Sequence, residues 1–303
     1  MKTTAIGIIG LSVHSEDFTR IINGTAGKDG RQGCLVTQLY HPPGNPDVEF
    51  STAQLEKFSK TIREHGVAFA GSIEEMLPHV DAVMLLTNDG RPHLREILPV
   101  LKAGKPVYID KPMAESLENV TSIFREAKKY GVPVFTSSAL RYVKRAQQFA
   151  RGETVGKVFG AETWGPAPLQ SSHVDLFWDG IHGVELLYTV MGPGCQSVSR
   201  VFTPGGDVVT GLWPGGRTGI FRGLRKGRIG FGGTVFGAGG IEAIGGFDGY
   251  EGLVDAILEF FRSGKPPVPA EESIEIYTFM KGADISKSKG GMPVKLADVP
   301  ARK

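Results

Sequence analysis

Cysteine is scarce in this chain: Cys34 and Cys195 are the only two, far apart and in no CxxC pair or Cys/His cluster. That excludes a disulfide framework and a thiolate zinc site, and no other metal motif is present. Both thiols are read as reduced and buried. Long hydrophobic runs are lacking as well. The opening MKTTAIGIIGLSVHSEDF carries one lysine and a short apolar stretch, without a twin arginine or a small-residue cleavage site. No later stretch reaches membrane-spanning length, so the expectation is a cytoplasmic protein with no membrane partner. Excess charge is missing too, because 34 Lys plus Arg face 32 Asp plus Glu. A balance so even does not recruit nucleic acid or an anionic membrane by charge alone, which leaves small neutral or anionic molecules as partners.

What is present is a soluble composition, 41% hydrophobic and 22% charged, over 303 residues. Such a length predicts two domains. From residue 1 to about 137, short apolar runs alternate with helical periods. AIGIIG (5–10), CLVTQLY (34–40), VAFAG (67–71), AVMLLT (82–87), PVYID (106–110) and VPVFTS (132–137) have strand length. Ser72 and Glu75 form a capping-box pattern ahead of EEMLPHV, while Gly104 and Gly131 follow EILPVLKA and IFREAKKY as helix stops. This alternation predicts an α/β fold, a doubly wound parallel sheet covered on both faces.

Ligands of such sheets bind beyond the carboxyl ends of the strands. Three groups fall at that edge: Gly10, Leu11, Ser12, Val13, His14 and Ser15 after the first strand; Thr87, Asn88 and Asp89 after the fourth; Asp110, Lys111 and Pro112 after the fifth. The first hexapeptide has the frame of a dinucleotide fingerprint, but only its first glycine is there. Ser12 and Ser15 occupy the second and third glycine positions. The following helix would still offer N-terminal amides to an anion. No ribose-binding acid ends the second strand, where Tyr40, His41, Pro42 and Pro43 stand, and Asp47 lies far along.

Residues 138 to 303 abandon the alternation. A glycine-rich, arginine-dotted stretch from Val198 to Phe247 holds VSRVF, VVTGLW, TGIFRGL and GTVFGA, which predict an open, mostly antiparallel sheet. Its cations Arg217, Arg222, Arg225, Lys226 and Arg228 read as a solvated sheet face. His182 opens a helix with an apolar face of Ile181, Val184, Leu187, Tyr188 and Met191, ended by Gly192 and Pro193. His182 and Glu185 share a different side of it. Trp164, His173 and Trp178 in WGPAPLQSSHVDLFW read as lining of a binding pocket or as packing in a Pro-rich loop.

Taken together, GIIGL, TND, AGKPVYIDKPMAES, SSALRYVKRAQQF and WDGIHGVELLYTVMGPG resemble, in order and spacing, the Gfo/Idh/MocA family of NAD(P)-dependent oxidoreductases. The resemblance runs from about residue 4 to 295. It implies a Rossmann dinucleotide-binding domain over 1–137 and an α+β domain over 138–303 for substrate binding and oligomerisation. It also implies NAD or NADP as cofactor and a sugar, polyol or inositol-like substrate. The oligomer would be a homodimer or homotetramer through the C-terminal sheet.

By the same resemblance, Gly10, Leu11, Ser12, His14, Thr87, Asn88, Asp110, Lys111 and Pro112 meet the cofactor. Lys111, Arg141, Trp178, Asp179 and His182 meet the substrate. Lys111 would stabilise charge on the substrate oxygen and His182 would act as general acid/base. The sequence departs from the family at Trp178, where an aspartate is usual. An indole accepts no proton, so the relay would need another partner, and Asp179, Asp175 and Glu185 are the nearby acids. A second reading follows from the lost glycines, the absent ribose acid and Trp178: a catalytically weakened relative that binds a sugar or nucleotide as a sensor or scaffold.

Overall fold

A computed structural model describes residues 3–24 and 31–300. The chain forms two compact units, one of Met1–Ala114, Thr121–Thr136 and Tyr250–Ala270, the other of Glu115–Val120, Ser137–Gly249 and Glu271–Lys303.

The first unit runs β1 (Thr4–Ile9), α1 (Val13–Asn23), β2 (Cys34–Tyr40), α2 (Thr52–Glu64), β3 (Ala68–Phe69), α3 (Ile73–Met76), β4 (Ala82–Leu85), α4 (His93–Lys102), β5 (Val107–Ile109), α5 (Leu117–Tyr130) and β6 (Val134–Thr136). All six strands pair in parallel in the order β3-β2-β1-β4-β5-β6. The core strands read as unbroken apolar runs because both faces are covered: every residue of β4, β5 and β6 is buried. The order reverses between β1 and β4, and at such a switch point a crevice opens beyond the carboxyl ends. The third strand is only two residues long. Ser72 accepts from the Glu75 amide as foreseen, but the Glu75 carboxylate takes the Gly71 amide at 2.7 Å, leaving half of a capping box.

The second unit continues with α6 (Lys144–Ala150), β7 (Val158–Pro166), α7 (Gly180–Met191), β8 (Ser197–Thr203), β9 (Gly206–Trp213), β10 (Arg217–Leu224), β11 (Gly232–Gly237) and β12 (Gly240–Ala243). After α8 (Glu251–Ser263), which belongs to the first unit, it closes with α9 (Ala270–Ser288) and β13 (Val294–Lys295). Its sheet has seven strands in the order β12-β11-β7-β10-β9-β8-β13, antiparallel except for β7 with β10. Val198, Val209, Trp213, Phe221 and Val235 are buried on one face, where α7 packs on β7 and β10.

Two expectations are corrected here. Trp164 lies within β7, opposite Gly232, not in a Pro-rich loop. A Cβ on Gly232 would stand 2.5 Å from the Trp164 ring, so the missing side chain makes room for the indole. Arg225 is not part of a solvated face: its side chain is 9% exposed and donates to Asp207 at 2.5 Å. Asp207 also accepts from Arg200 at 2.8 Å, and both of those side chains are fully buried. Asp207→Asn would take the carboxylate from Arg225 and leave Arg200 with Asp175 at 3.0 Å, and a destabilisation of about 3 kcal/mol is expected. Denaturant unfolding of the variant beside the parent checks this.

Candidate active site

The crevice of the first unit is built from three turns. Gly10 leaves β1 at φ 101° with its amide donating to Tyr40 at 2.8 Å. A Cβ there would lie 2.3 Å from the Thr87 amide nitrogen, which only glycine avoids. Ser12 then caps α1: its hydroxyl accepts the Ser15 amide at 3.3 Å, and the Ser12 amide donates to the Ser15 hydroxyl at 3.2 Å. Ser15 further donates to the Gly10 carbonyl at 3.0 Å. The two serines in the glycine positions therefore tie the loop to itself. Leu11 and His41 border an open recess of about 650 Å³ along α2, at the end of β2 where the ribose acid was sought. Burial pushes the His41 imidazole down, partly offset by Glu49. Asp47 is drawn instead to Arg91 at 2.6 Å.

His14 faces the fifth strand. Its Nδ1 is 2.5 Å from Asp110 Oδ2 and its Nε2 is 3.2 Å from the Tyr250 hydroxyl, with Phe18 stacked on the ring. Burial pushes the Asp110 carboxyl up, but the charge and hydrogen bond of His14, aided by Lys111, outweigh it and hold the carboxyl below its ordinary range. Asp110 also accepts from Tyr108 at 3.2 Å. Lys111 follows, half-buried, joined to the buried Pro112 by a cis peptide bond.

After β4, Thr87 Oγ1 donates to Glu96 on α4 at 2.8 Å, and Asn88 donates to the Val48 carbonyl at 2.9 Å. Burial pushes the Glu96 carboxyl up, against the pull of His93 and Thr87. His93 is fully buried, with one ring nitrogen 3.1 Å from the Met113 carbonyl and the other 3.0 Å from the Thr87 carbonyl. It links the Asp110–Met113 turn to the Thr87–Asp89 turn. No sequence pattern marked His93 for this, and Tyr250 reaches His14 from 236 residues away.

In the second unit, α7 is buried all round, not on one apolar face only: from Gly180 to Met191, His182 alone is not buried. Its Nδ1 lies 2.7 Å from Ser138 Oγ. Glu185, one turn on, is buried and accepts from the Ser137 hydroxyl (2.5 Å), the Ser138 amide (2.7 Å) and Arg141 (2.7 Å). Arg141 also pairs with Glu272 at 2.8 Å. Asp179 occupies the N-cap of α7, without a side-chain cap bond, and Trp178 packs its ring 5.0 Å from that of His173. Asp175 is engaged by Lys287 at 2.6 Å and Arg200 at 3.0 Å. Of the three nearby acids, then, Glu185 and Asp175 are committed to cations, while the hydroxyl of Ser138, unremarked in the sequence, meets the histidine. Among the described residues no cluster of three or more His, Cys, Asp or Glu is set to hold a metal ion, and no helix is long and apolar enough to cross a membrane.

Strand order and switch-point crevice define the first unit as a Rossmann domain. Residues 5–138, less than half of the chain, match the Gfo/Idh/MocA family model, which describes an oxidoreductase family with an NAD-binding Rossmann fold. The chain is 28% identical over 142 residues to a myo-inositol 2-dehydrogenase of Thermotoga maritima, covering 44% of this chain and 41% of that protein. It is 32% identical over 123 residues to an inositol 2-dehydrogenase of Agrobacterium fabrum, covering 40% of this chain and 32% of that one. These matches thus span less than half the length of either relative. The fold extends further: a myo-inositol 2-dehydrogenase structure from Lactobacillus plantarum superposes with a TM-score of 0.79 over 97% of this chain and 99% of that one, at 17% identity.

Proposed function

We propose that the protein is an NAD(P)-dependent oxidoreductase that moves hydride between nicotinamide and a secondary alcohol or ketone of a sugar, polyol or inositol-like molecule. Residues 1–137 would hold the cofactor and 138–303 the substrate and the oligomer contact. Lys111 stabilises the substrate oxygen as hydride leaves, and His182 takes or returns the hydroxyl proton. Arg141, Trp178 and Asp179 belong to the substrate side in this reading. The observation that carries it is His182, the one residue of a buried helix that reaches the surface of its unit. Screening polyols, inositols and keto-sugars against both cofactors by nicotinamide absorbance tests it, and turnover of at least one is expected.

The sensor or scaffold reading has its own support, because the Ser12 hydroxyl takes an amide at the start of α1 that a phosphate would otherwise use. Failure to bind any nicotinamide cofactor would favour it. Placement of the cofactor is tested separately by Ser12→Phe. Ser12 is 4% exposed in the turn between β1 and α1, so a phenyl ring there is expected to abolish cofactor binding. Unchanged affinity would refute the placement.

A dimer or tetramer through the second unit's sheet is part of the same proposal. On the face opposite α7, Val201, Leu212, Phe236 and Ile241 are exposed, and Phe236 pairs directly with Ile241 across β11 and β12. Apolar residues gathered on one sheet face call for cover. Light scattering at micromolar concentration should report a dimer or tetramer, and Phe236→Asp with Ile241→Asp should shift it to monomer.

A further inference from the structure

We propose that His41 decides which cofactor the protein takes: it stands in for the ribose-binding acid, meets the ribose 2′-hydroxyl on the adenosine side of NAD, and leaves the 2′-phosphate of NADP without a counter-charge. This rests on the reading of the protein as a nicotinamide-dependent oxidoreductase and adds the choice between the two cofactors. The Gly10 amide donates to the Tyr40 carbonyl at 2.8 Å, so the chain leaves β2 at the level of the turn that follows β1. His41 is the next residue. With Leu11 it borders the recess of about 650 Å³ whose other wall is α2, and the ribose acid of a dinucleotide site belongs at this strand end.

The His41 ring is half-buried, and its Nδ1 is shut off from solvent with no hydrogen-bond partner. Nε2 is therefore the nitrogen through which the ring can meet a ligand. Whether that atom carries a hydrogen or a lone pair, a hydroxyl answers it, because a hydroxyl both donates and accepts. A phosphate only accepts, and it calls for positive charge as well. A second proton on the ring would place a hydrogen on the buried Nδ1, where nothing receives it, and burial accordingly pushes the imidazole down, partly offset by Glu49. Near neutral pH the ring is uncharged. The rest of the recess does not make up the difference: Arg63 lies over the Phe69 ring, 3.9 Å from its centroid, and Lys60 has Glu56 and Glu64 one turn away on either side of it on α2. Two carboxylates thus balance two cations, and Glu49 adds a third near His41. A 2′-phosphate meets no net positive charge there.

Calorimetric titration near neutral pH is expected to show the parent protein binding NADH more tightly than NADPH by about tenfold or more, the scale of one unfavourable charge contact. His41→Arg supplies the cation, so NADPH should gain about tenfold while NADH stays within about threefold. His41→Ala should weaken NADH by about fivefold, the loss of one hydrogen bond, and NADPH by less. A merely structural role for His41 would move both cofactors together and leave their ratio as it was. NADPH bound by the parent as tightly as NADH, or a ratio unmoved in His41→Arg, overturns the inference and leaves the oxidoreductase reading standing. Binding of neither cofactor overturns both.

Discussion

Lys111→Met is expected to lower turnover by about two to three orders of magnitude while cofactor affinity stays within about threefold. The Asp110 amide donates to the Leu85 carbonyl at 2.9 Å, which fixes the residue before Lys111 to the neighbouring strand β4. Asp110 is held in turn by His14 and Tyr108, and the Met113 carbonyl lies against His93. Lys111 therefore starts from a rigid turn at the carboxyl edge of the sheet, where ligands of this fold bind. An ammonium so placed stabilises oxygen charge most when hydride has largely left carbon, so its loss falls on the rate and not on ground-state binding. Methionine keeps the length of the side chain and removes the charge. Steady-state rates together with a cofactor titration separate the two effects, and a variant within threefold of the parent in turnover would return Lys111 to the role of an ordinary surface lysine.

Gly10→Ala should cost both stability and cofactor binding. At φ 101° a side chain pays conformational strain of about 1–3 kcal/mol, and this one would also press on the Thr87 amide, Thr87 Cα and the Leu86 carbonyl carbon, all within 2.7 Å. Relief requires the β1 and β4 turns to part, which displaces Ser12 and Thr87 together. We expect a loss of at least about 2 kcal/mol and a fall in cofactor affinity of tenfold or more. Gly33→Ala is the control: it has φ 74° but nothing within 4 Å of the new Cβ, so it bears the strain without the collision. If both variants lose the same stability and Gly10→Ala still binds cofactor normally, close approach at Gly10 is not what shapes the turn.

The first unit was legible because strands buried on both faces leave continuous apolar runs. CLVTQLY coincides with β2, and AVML, VYI and VFT form β4, β5 and β6 inside the runs read for them. The run VAFAG yields only Ala68–Phe69 as strand, because it pairs on one side alone, with β2 at the sheet edge. In the second unit β7 was missed although it is a central strand. VFGAETWGP mixes two glycines, a glutamate and a proline, and its alternation is hidden by Gly160 and Gly165 lying on opposite faces. Its burial comes from β10 and β11, which are remote in sequence.

The candidate site divides in the same way. Segments that leave strand ends could be placed from the strands themselves. The partners that fix them could not, because Tyr250 on His14, His93 between two carbonyls and Ser138 on His182 depend on tertiary approach and leave no local periodicity. Arg225 shows the same limit in reverse: an arginine in a glycine-rich strand region looks solvated until its buried partner Asp207 is known.

The most direct test of the account is a fluorescence titration of the purified protein with NADH and with NADPH, run in parallel on the parent and on Ser12→Phe. Saturable binding of at least one reduced cofactor to the parent, lost in Ser12→Phe, is the predicted result. Binding of neither cofactor to the parent, or equal binding to both proteins, would contradict it.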